Sequence, residues 1–240
     1  MVKKSLAEEL PPASSQSFTI CKINPGDKLI TVKVCRDDSK EILIATQNGM
    51  AIRFDQSDLR PMGLIAAGVN GIKLKEDDLV ADATLVDNAD FCCFVTSDWG
   101  IGKIPVEEFP KQGRYGQGVK AVRLNPSEKV VGITVLPDSM SVLLVRYGNN
   151  KARQVRQAMI KQVKRTKFLE YFIKLLNHKV TSINLLSAGE AENKSEKKSP
   201  LSSEKPKQPV KKEPKSKPVE QQKDEIPSEE EGNPEQFSLF

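Results

Sequence analysis

Arg53, Lys73, Lys103, Arg114, Lys120 and Arg123 stand at equivalent or nearby positions of a segment that occurs twice, about 50 residues apart. Basic side chains repeated at a fixed spacing suit one kind of chemistry. They neutralise a regular polyanion such as a phosphodiester backbone, one contact per repeat, and release its counterions. A denser group follows: Arg146, Lys151, Arg153, Arg156, Lys161, Lys164, Arg165 and Lys167, with Glu170 the lone acid between Arg146 and Lys179. Acids within the repeats (Asp55, Asp58, Asp77, Asp78, Glu107 and Glu108) dilute the field, so the alternative is that these bases only solvate a β surface.

Other chemistry has little to stand on. No nucleophile–base pair, metal-ligand cluster or phosphate-binding glycine loop can be picked out, so no catalytic residue, metal or cofactor is expected. His178 is the only histidine, which argues against zinc ligation and against a His-dependent triad. Cys21, Cys35, Cys92 and Cys93 lack C-x-x-C spacing and read as reduced, buried thiols. No apolar run is long enough to span a membrane, and Met1–Ser17 lacks the apolar core of a signal peptide. A cytoplasmic protein is expected.

The elements that must position the bases are short strands. Asp38–Val86 lies over Asn88–Leu136, with Thr46 on Thr96, Gly63 on Gly113, Gly68 on Gly118, Val69 on Val119 and Leu74 on Leu124. A one-residue slip is needed at the turn, where Asn48-Gly49 faces Asp98-Trp99-Gly100. Strands are predicted over 41–46, 50–54, 69–74 and 79–86, and again over 91–96, 101–105, 118–124 and 129–136. Asn-Gly between apolar runs marks a hairpin, because the favoured two-residue turn needs positive φ at both positions. Ile20–Cys35 reads as the back half of a preceding unit, and a third unit opens at Ser141–Val145 with Arg153 opposite Lys103. Four-stranded units repeated at this length predict a mainly β fold, a partial propeller of blades. A WD-type or kelch propeller competes, but Gly-His and Trp-Asp signals are missing. Trp99, at a turn tip, either stacks on a base or partner or folds back onto its own blade.

Two stretches carry a resemblance. Thr46-Gln47-Asn48-Gly49 with Arg53, and Gly113-Arg114 with Gly116, Gly118 and Val119, resemble a blade of the C-terminal domain of the gyrase A protein, the DNA-cleaving component of DNA gyrase, or of its topoisomerase IV counterpart. Over about Phe18–Val155 the resemblance implies a β-pinwheel whose basic outer rim wraps double-stranded DNA. It implies no catalysis, since the active-site tyrosine of that family lies in another region. Fewer than three blades are counted here, so an open array, a second copy of the chain, or docking on a topoisomerase subunit is implied. Gly63–Gly68 has lost the Arg that Gly113–Gly118 keeps.

After the blades, Val155, Met159 and Val163, then Phe168, Leu169, Phe172, Ile173 and Leu176, follow i, i+4, i+7 spacing in a stretch without Gly or Pro. This predicts a basic amphipathic helix over 156–180. Its apolar face would seal the open end of the array, bind a partner helix or lie on a membrane surface; its cationic face would meet phosphate. From Ser187 onward Lys, Glu, Ser and Pro dominate, and 181–240 is expected to be a disordered tail, Lys-rich and then acidic. Gln236-Phe237-Ser238-Leu239-Phe240 closes it. This ending resembles the peptide by which bacterial replication and repair proteins bind the sliding clamp, with Gln236 as polar anchor and Leu239 and Phe240 filling an apolar pocket. The Phe-ended acidic tail of single-stranded-DNA-binding proteins is the rival resemblance.

The boundaries are therefore a disordered arm over 1–17, blades over 18–155, a helix over 156–180 and a tail over 181–240. The expected function is a bacterial, nucleoid-associated, non-catalytic DNA-binding and DNA-wrapping accessory, with the clamp tether as an added role, free-standing rather than one piece of a split gyrase A protein. The alternative is a protein–protein scaffold in replication or repair whose charge is incidental.

Overall fold

A computed structural model describes residues 1–12, 16–35, 40–86, 91–137, 140–149, 151–173 and 178–186. All of them lie in one compact unit, Met1–Lys198. The strands, in chain order, are β1 (Glu41–Thr46), β2 (Met50–Asp55), β3 (Val80–Val86), β4 (Phe91–Thr96), β5 (Gly100–Pro105) and β6 (Val119–Lys120). β7 (Val130–Leu136), β8 (Val142–Tyr147), β9 (Lys151–Arg156), β10 (Glu170–Tyr171) and β11 (Val180–Leu186) complete them.

Three antiparallel sheets result, ordered β3-β1-β2-β6, β10-β5-β4-β7 and β11-β8-β9. Each is built on a hairpin: β1–β2, β4–β5 and β8–β9. The strand that follows each hairpin at a distance returns to its other edge, as β3, β7 and β11 do. The outermost strand comes from elsewhere. β6, which belongs to the second repeat, pairs with β2 of the first, and β10, from the third repeat, pairs with β5 of the second. These two blades therefore borrow their fourth strand from the next repeat, which covers an edge that would otherwise carry a row of unpaired amides.

The first hairpin turns resolve the repeat alignment. Gly49 has φ 80° and Trp99 has φ 70°, so the two occupy the same left-handed turn position and no slip is required. Matched threonines brace these turns: Thr46 Oγ1 accepts from Met50 N at 3.1 Å, and Thr96 Oγ1 from Gly100 N at 2.9 Å. Trp99 is 1 % exposed, donates its indole N–H to His178 O at 2.8 Å and meets the Tyr147 ring edge-on at 4.9 Å. It folds back into protein.

Burial explains why the central strands do not alternate polar with apolar. Leu43 and Ala45 of β1 pack toward Cys92, Phe94 and Ile104 of the next blade. Ile42 and Ile44, on the opposite face, pack with Ile52, Phe54 and Ile72, and with Val2 and Val69. A blade sandwiched between neighbours must be apolar on both faces. Cys93, Val95, Trp99 and Ile101 then meet Leu143, Val145 and Val155 of the third blade. The first residues of the predicted arm take part too, Val2 forming a two-way backbone bridge with Val69.

The structure corrects the expected helix over 156–180. No α-helix occurs among the described residues, and Arg156 ends β9. Gln157–Met159 is one 3-10 turn, the counterpart of Gln56–Asp58 and Val106–Glu108. Gln162 then bridges Lys103, and Glu170–Tyr171 pairs with Ile101 and Gly100. Lys164, Lys167 and Leu169 stand where the second repeat has Gly113, Gly116 and Gly118, so the turn signal is lost and a helical spacing is left behind. The open edge of β5 overrides local preference. Thr166 takes the left-handed turn at φ 68°, as Tyr115 does at φ 69°. The predicted strands over 69–74 and 118–124 shrink to a bridge at Val69, the two residues of β6 and a bridge from Arg123 to Phe168.

Candidate nucleic-acid interface

The exchanged segments of successive repeats run along one another and form the outer path on which most candidate bases lie. Gln112 N–H donates to Arg53 O (2.8 Å) and Val163 N–H to Lys103 O (2.9 Å), which seats each segment on the preceding blade. The segments are also tied to each other. Tyr115 N bonds Gly71 O, Lys73 N bonds Gly116 O, Thr166 N bonds Ala121 O and Arg123 N bonds Lys167 O, all at 2.8–2.9 Å. Gly118 makes the close approach possible: at φ +72° it is left-handed, and a Cβ there would lie 2.4 Å from Ala51 O.

The structure divides the candidate bases into two kinds. Arg53, Arg114 and Arg165 are structural ties. Arg53 pairs with Glu41 and reaches into the next repeat, donating through Nη1 to Val106 O (2.9 Å) and Phe109 O (3.2 Å). Arg114 Nη1 donates to Asn70 O (2.7 Å) and Arg165 Nη1 to Lys120 O (3.0 Å), each clasping the previous exchanged segment. Lys103 is half-buried with its ammonium 5.0 Å from the Phe91 ring centre. Lys161 pairs with Glu170 at 2.7 Å.

Lys73, Lys120, Arg123, Lys164 and Lys167 are the second kind. All five are exposed on the outer path and none has an ion pair among the described residues. Arg123 lies over Phe168, 4.8 Å from the ring centre, and Lys120 Nζ rests on Asn48 O at 2.8 Å. Desolvation, with Lys75 nearby, lowers the Lys120 ammonium's pKa from its ordinary value against the pull of Asp78. Arg146, Lys151, Arg153 and Arg156 are also exposed, but on β8 and β9 of the third blade.

Some acids that would dilute the field are spent elsewhere. Asp78 is 5 % exposed and accepts from Asn48 N and Leu79 N under the hairpin turn, while Glu108 accepts from Arg165 N. Burial raises the Glu41 carboxyl, but Arg53 and Lys111 outweigh it and hold Glu41 below the usual carboxylate range. Two exposed aromatics on the path escaped the sequence reading as site residues: Tyr115, 48 % exposed at a left-handed loop tip, and Phe168, 43 % exposed. The only signal for Tyr115 was its place between Arg114 and Gly116. Gln236, Phe237, Ser238, Leu239 and Phe240 lie outside the described residues.

Residues 1–36, 40–87 and 103–137 match the family described as DNA gyrase C-terminal domain, beta-propeller. The chain carries a propeller-type domain related to the gyrase A C-terminal domain. It is 32 % identical over 147 residues to the gyrase A protein of Kosmotoga olearia, covering 60 % of this chain and 18 % of that one. Against the gyrase A protein of Deinococcus deserti it is 36 % identical over 141 residues, 57 % of this chain and 17 % of that one. The match thus spans about a fifth of these relatives' length. Among solved structures, the C-terminal domain of DNA topoisomerase IV is similar with a TM-score of 0.67 and 23 % identity, over 73 % of this chain and 55 % of that one. The E. coli ParC C-terminal domain gives a TM-score of 0.53 at 17 % identity, over 70 % and 69 % of the two chains. These likenesses establish the fold. Among the described residues, no helix is long and apolar enough to cross a membrane and no three acidic, His or Cys side chains are placed to hold a metal ion.

Proposed function

We propose that this domain binds duplex DNA along its outer path and bends it there, as a non-catalytic accessory to a type II topoisomerase. One observation carries the reading. Strand exchange places the exposed cations Lys73, Lys120, Arg123, Lys164 and Lys167 on neighbouring segments of a single continuous path. A duplex following that path gains successive phosphate contacts, and its affinity is electrostatic rather than sequence-reading. Tyr115 and Phe168 offer apolar surface beside those cations. Arg53, Arg114 and Arg165 contribute by holding the path in shape.

Two partners follow from this proposal and from the sequence. A topoisomerase subunit would supply the cleavage chemistry, and Gln236–Phe240 would tether the chain to a sliding clamp. Deleting Gln236–Phe240 is expected to abolish clamp capture while leaving DNA affinity unchanged; equal capture without those residues disposes of the tether.

The test of the main proposal is topological. Nicked circular DNA is ligated in the presence of saturating protein, and the linking number of the closed product is read. A shift that scales with bound protein is expected for a wrapping path. Binding without a shift refutes wrapping and favours the scaffold reading of the blades.

A further inference from the structure

The first two blades obey a rule that the third breaks. The outer edge of each receives a segment from the next repeat, through bonds that recur at equivalent residues: Gln112 N to Arg53 O (2.8 Å) and Val163 N to Lys103 O (2.9 Å). The N-terminal arm extends the series backwards, with Met62 N bonded to Lys4 O at 2.9 Å. Gln154 is the next member of this series, opposite Leu144 in β9 as Arg53 is opposite Leu43 and Lys103 opposite Cys93. The third sheet ends at β9, and no strand pairs with its outer edge among the described residues. Basic residues do not bar such pairing, since Lys4, Arg53 and Lys103 all stand at positions where it occurs. The free face of the blade is also apolar in part, with Val142 and Leu144 only half-buried.

The other end of the chain shows the converse. Ser17–Ile23 precedes Asn24-Pro25-Gly26-Asp27-Lys28 as Gly118–Leu124 precedes Asn125-Pro126-Ser127-Glu128-Lys129. Gly26 and Ser127 share the left-handed conformation, at φ 79° and 67°. Lys22 N–H reaches Ala66 O at 3.4 Å, the equivalent of Lys73 to Gly116 and of Arg123 to Lys167. Ser17–Ile23 thus sits in the place of an exchanged segment. Yet it forms no strand pairing among the described residues, and Phe18, Ile20 and Ile23 are 49 %, 43 % and 47 % exposed.

We propose that β9 of one copy receives Ser17–Ile23 of a second copy, a head-to-tail junction that continues the internal strand exchange between molecules. The register follows from β2 and β6, where Met50 faces Lys120 and Ala51 faces Val119. Thr19 of the second copy then faces Lys151, and Phe18 of the second copy faces Ala152. The open edge gains the backbone bonds it lacks, and the incoming apolar side chains cover the free face. Because acceptor and donor lie at opposite ends of one chain, the contact is heterologous, and two copies close it only by making two such junctions.

The full chain is studied by sedimentation over a range of concentrations. Gln154→Pro removes the amide at the position of Lys103, whose N–H bonds Lys161 O at 3.0 Å, and a proline on an outward edge leaves the hairpin intact. Ile20→Pro removes the amide equivalent to that of Ala121, which bonds Gly49 O at 2.8 Å. Self-association of the wild-type chain is expected, weakened on the order of tenfold per junction in either variant. Mixing the two variants restores one intact junction and part of the association. A Thr19→Cys/Lys151→Cys chain is expected to form disulfide-linked oligomers that neither single-cysteine variant forms, which guards against a variant that simply misfolds. A wild-type chain that stays monomeric overturns the proposal. So does an intramolecular block, seen as a monomer whose Gln154 amide is protected from exchange because the chain's own tail covers the edge.

Discussion

Neutralising part of the outer path gives the most discriminating test of the DNA reading, because the structure says which cations count. Lys73, Lys120, Arg123, Lys164 and Lys167 are exposed and without ion pairs among the described residues, Lys120 giving one of its ammonium N–H groups to Asn48 O, whereas Arg53, Arg114 and Arg165 are engaged with protein carbonyls. Five phosphate contacts predict a salt slope of about −4.5 in log K against log salt, at roughly −0.9 per contact. Affinity should then fall about 500-fold between about 0.05 and 0.2 M salt. The triple variant Lys73→Gln/Arg123→Gln/Lys167→Gln keeps two contacts, which lowers the slope to about −1.8 and the loss to roughly 12-fold. Fluorescence anisotropy of a labelled duplex, titrated at several salt concentrations, measures both slopes. Thermal denaturation of the variant checks that the fold is kept. An unchanged slope in the triple variant would refute the outer path as the DNA surface and move the contacts to β8 and β9, where Arg146, Lys151, Arg153 and Arg156 lie.

Arg53→Gln is expected to leave the salt slope unchanged but to cost about 2–4 kcal/mol in urea denaturation, since the partly buried Glu41 loses its closest partner and two carbonyls lose their donor. Glu41's folded pKa is depressed, so its contribution is present above its unfolded value and lost as pH falls through the folded one; Arg53→Gln should flatten that acid limb. Asp82 has the opposite sign. Burial, only partly offset by bonds from the Ile133 and Ala83 amides, raises its pKa, so its contribution is present below the unfolded value and lost as pH rises through the folded one. Asp82→Asn should therefore raise the melting temperature at neutral pH and little at pH 3, and parallel curves for variant and wild type would exclude this. Gly118→Ala must place its Cβ against Ala51 O in a left-handed backbone, at a cost of at least about 1–2 kcal/mol. Hydrogen exchange should show it first at the Gln112 and Ala121 amides, which join the exchanged segment to the blade; protection there equal to wild type would contradict the strain.

Much of the blade was legible in the residues. Thr46 over Thr96 and the Asn48-Gly49 pair located the hairpins, with a threonine brace at each; but of that pair only Gly49 is left-handed, so the positive φ expected at both turn positions does not hold at Asn48. The apolar runs of β1 and β4 likewise announced strands, since a strand buried on both faces leaves no room for polar alternation. The candidate site was legible only in part. Residue type marks a base, but whether it meets solvent or a carbonyl depends on a neighbour distant in sequence, and so Arg53 and Arg114 looked equivalent to Lys73 and Arg123. The third repeat was misread for a related reason. With Lys164, Lys167 and Leu169 in place of glycines, Arg156–Leu176 carries a helical spacing, and nothing local opposes it. The partner that decides its conformation is the open edge of β5, about 60 to 70 residues earlier in the chain. Local chemistry therefore determined the turns, strands and composition of this protein by itself. Which edge each exchanged segment completes, and hence which cations remain free, was decided only when the backbone amides of one repeat found their acceptors in another.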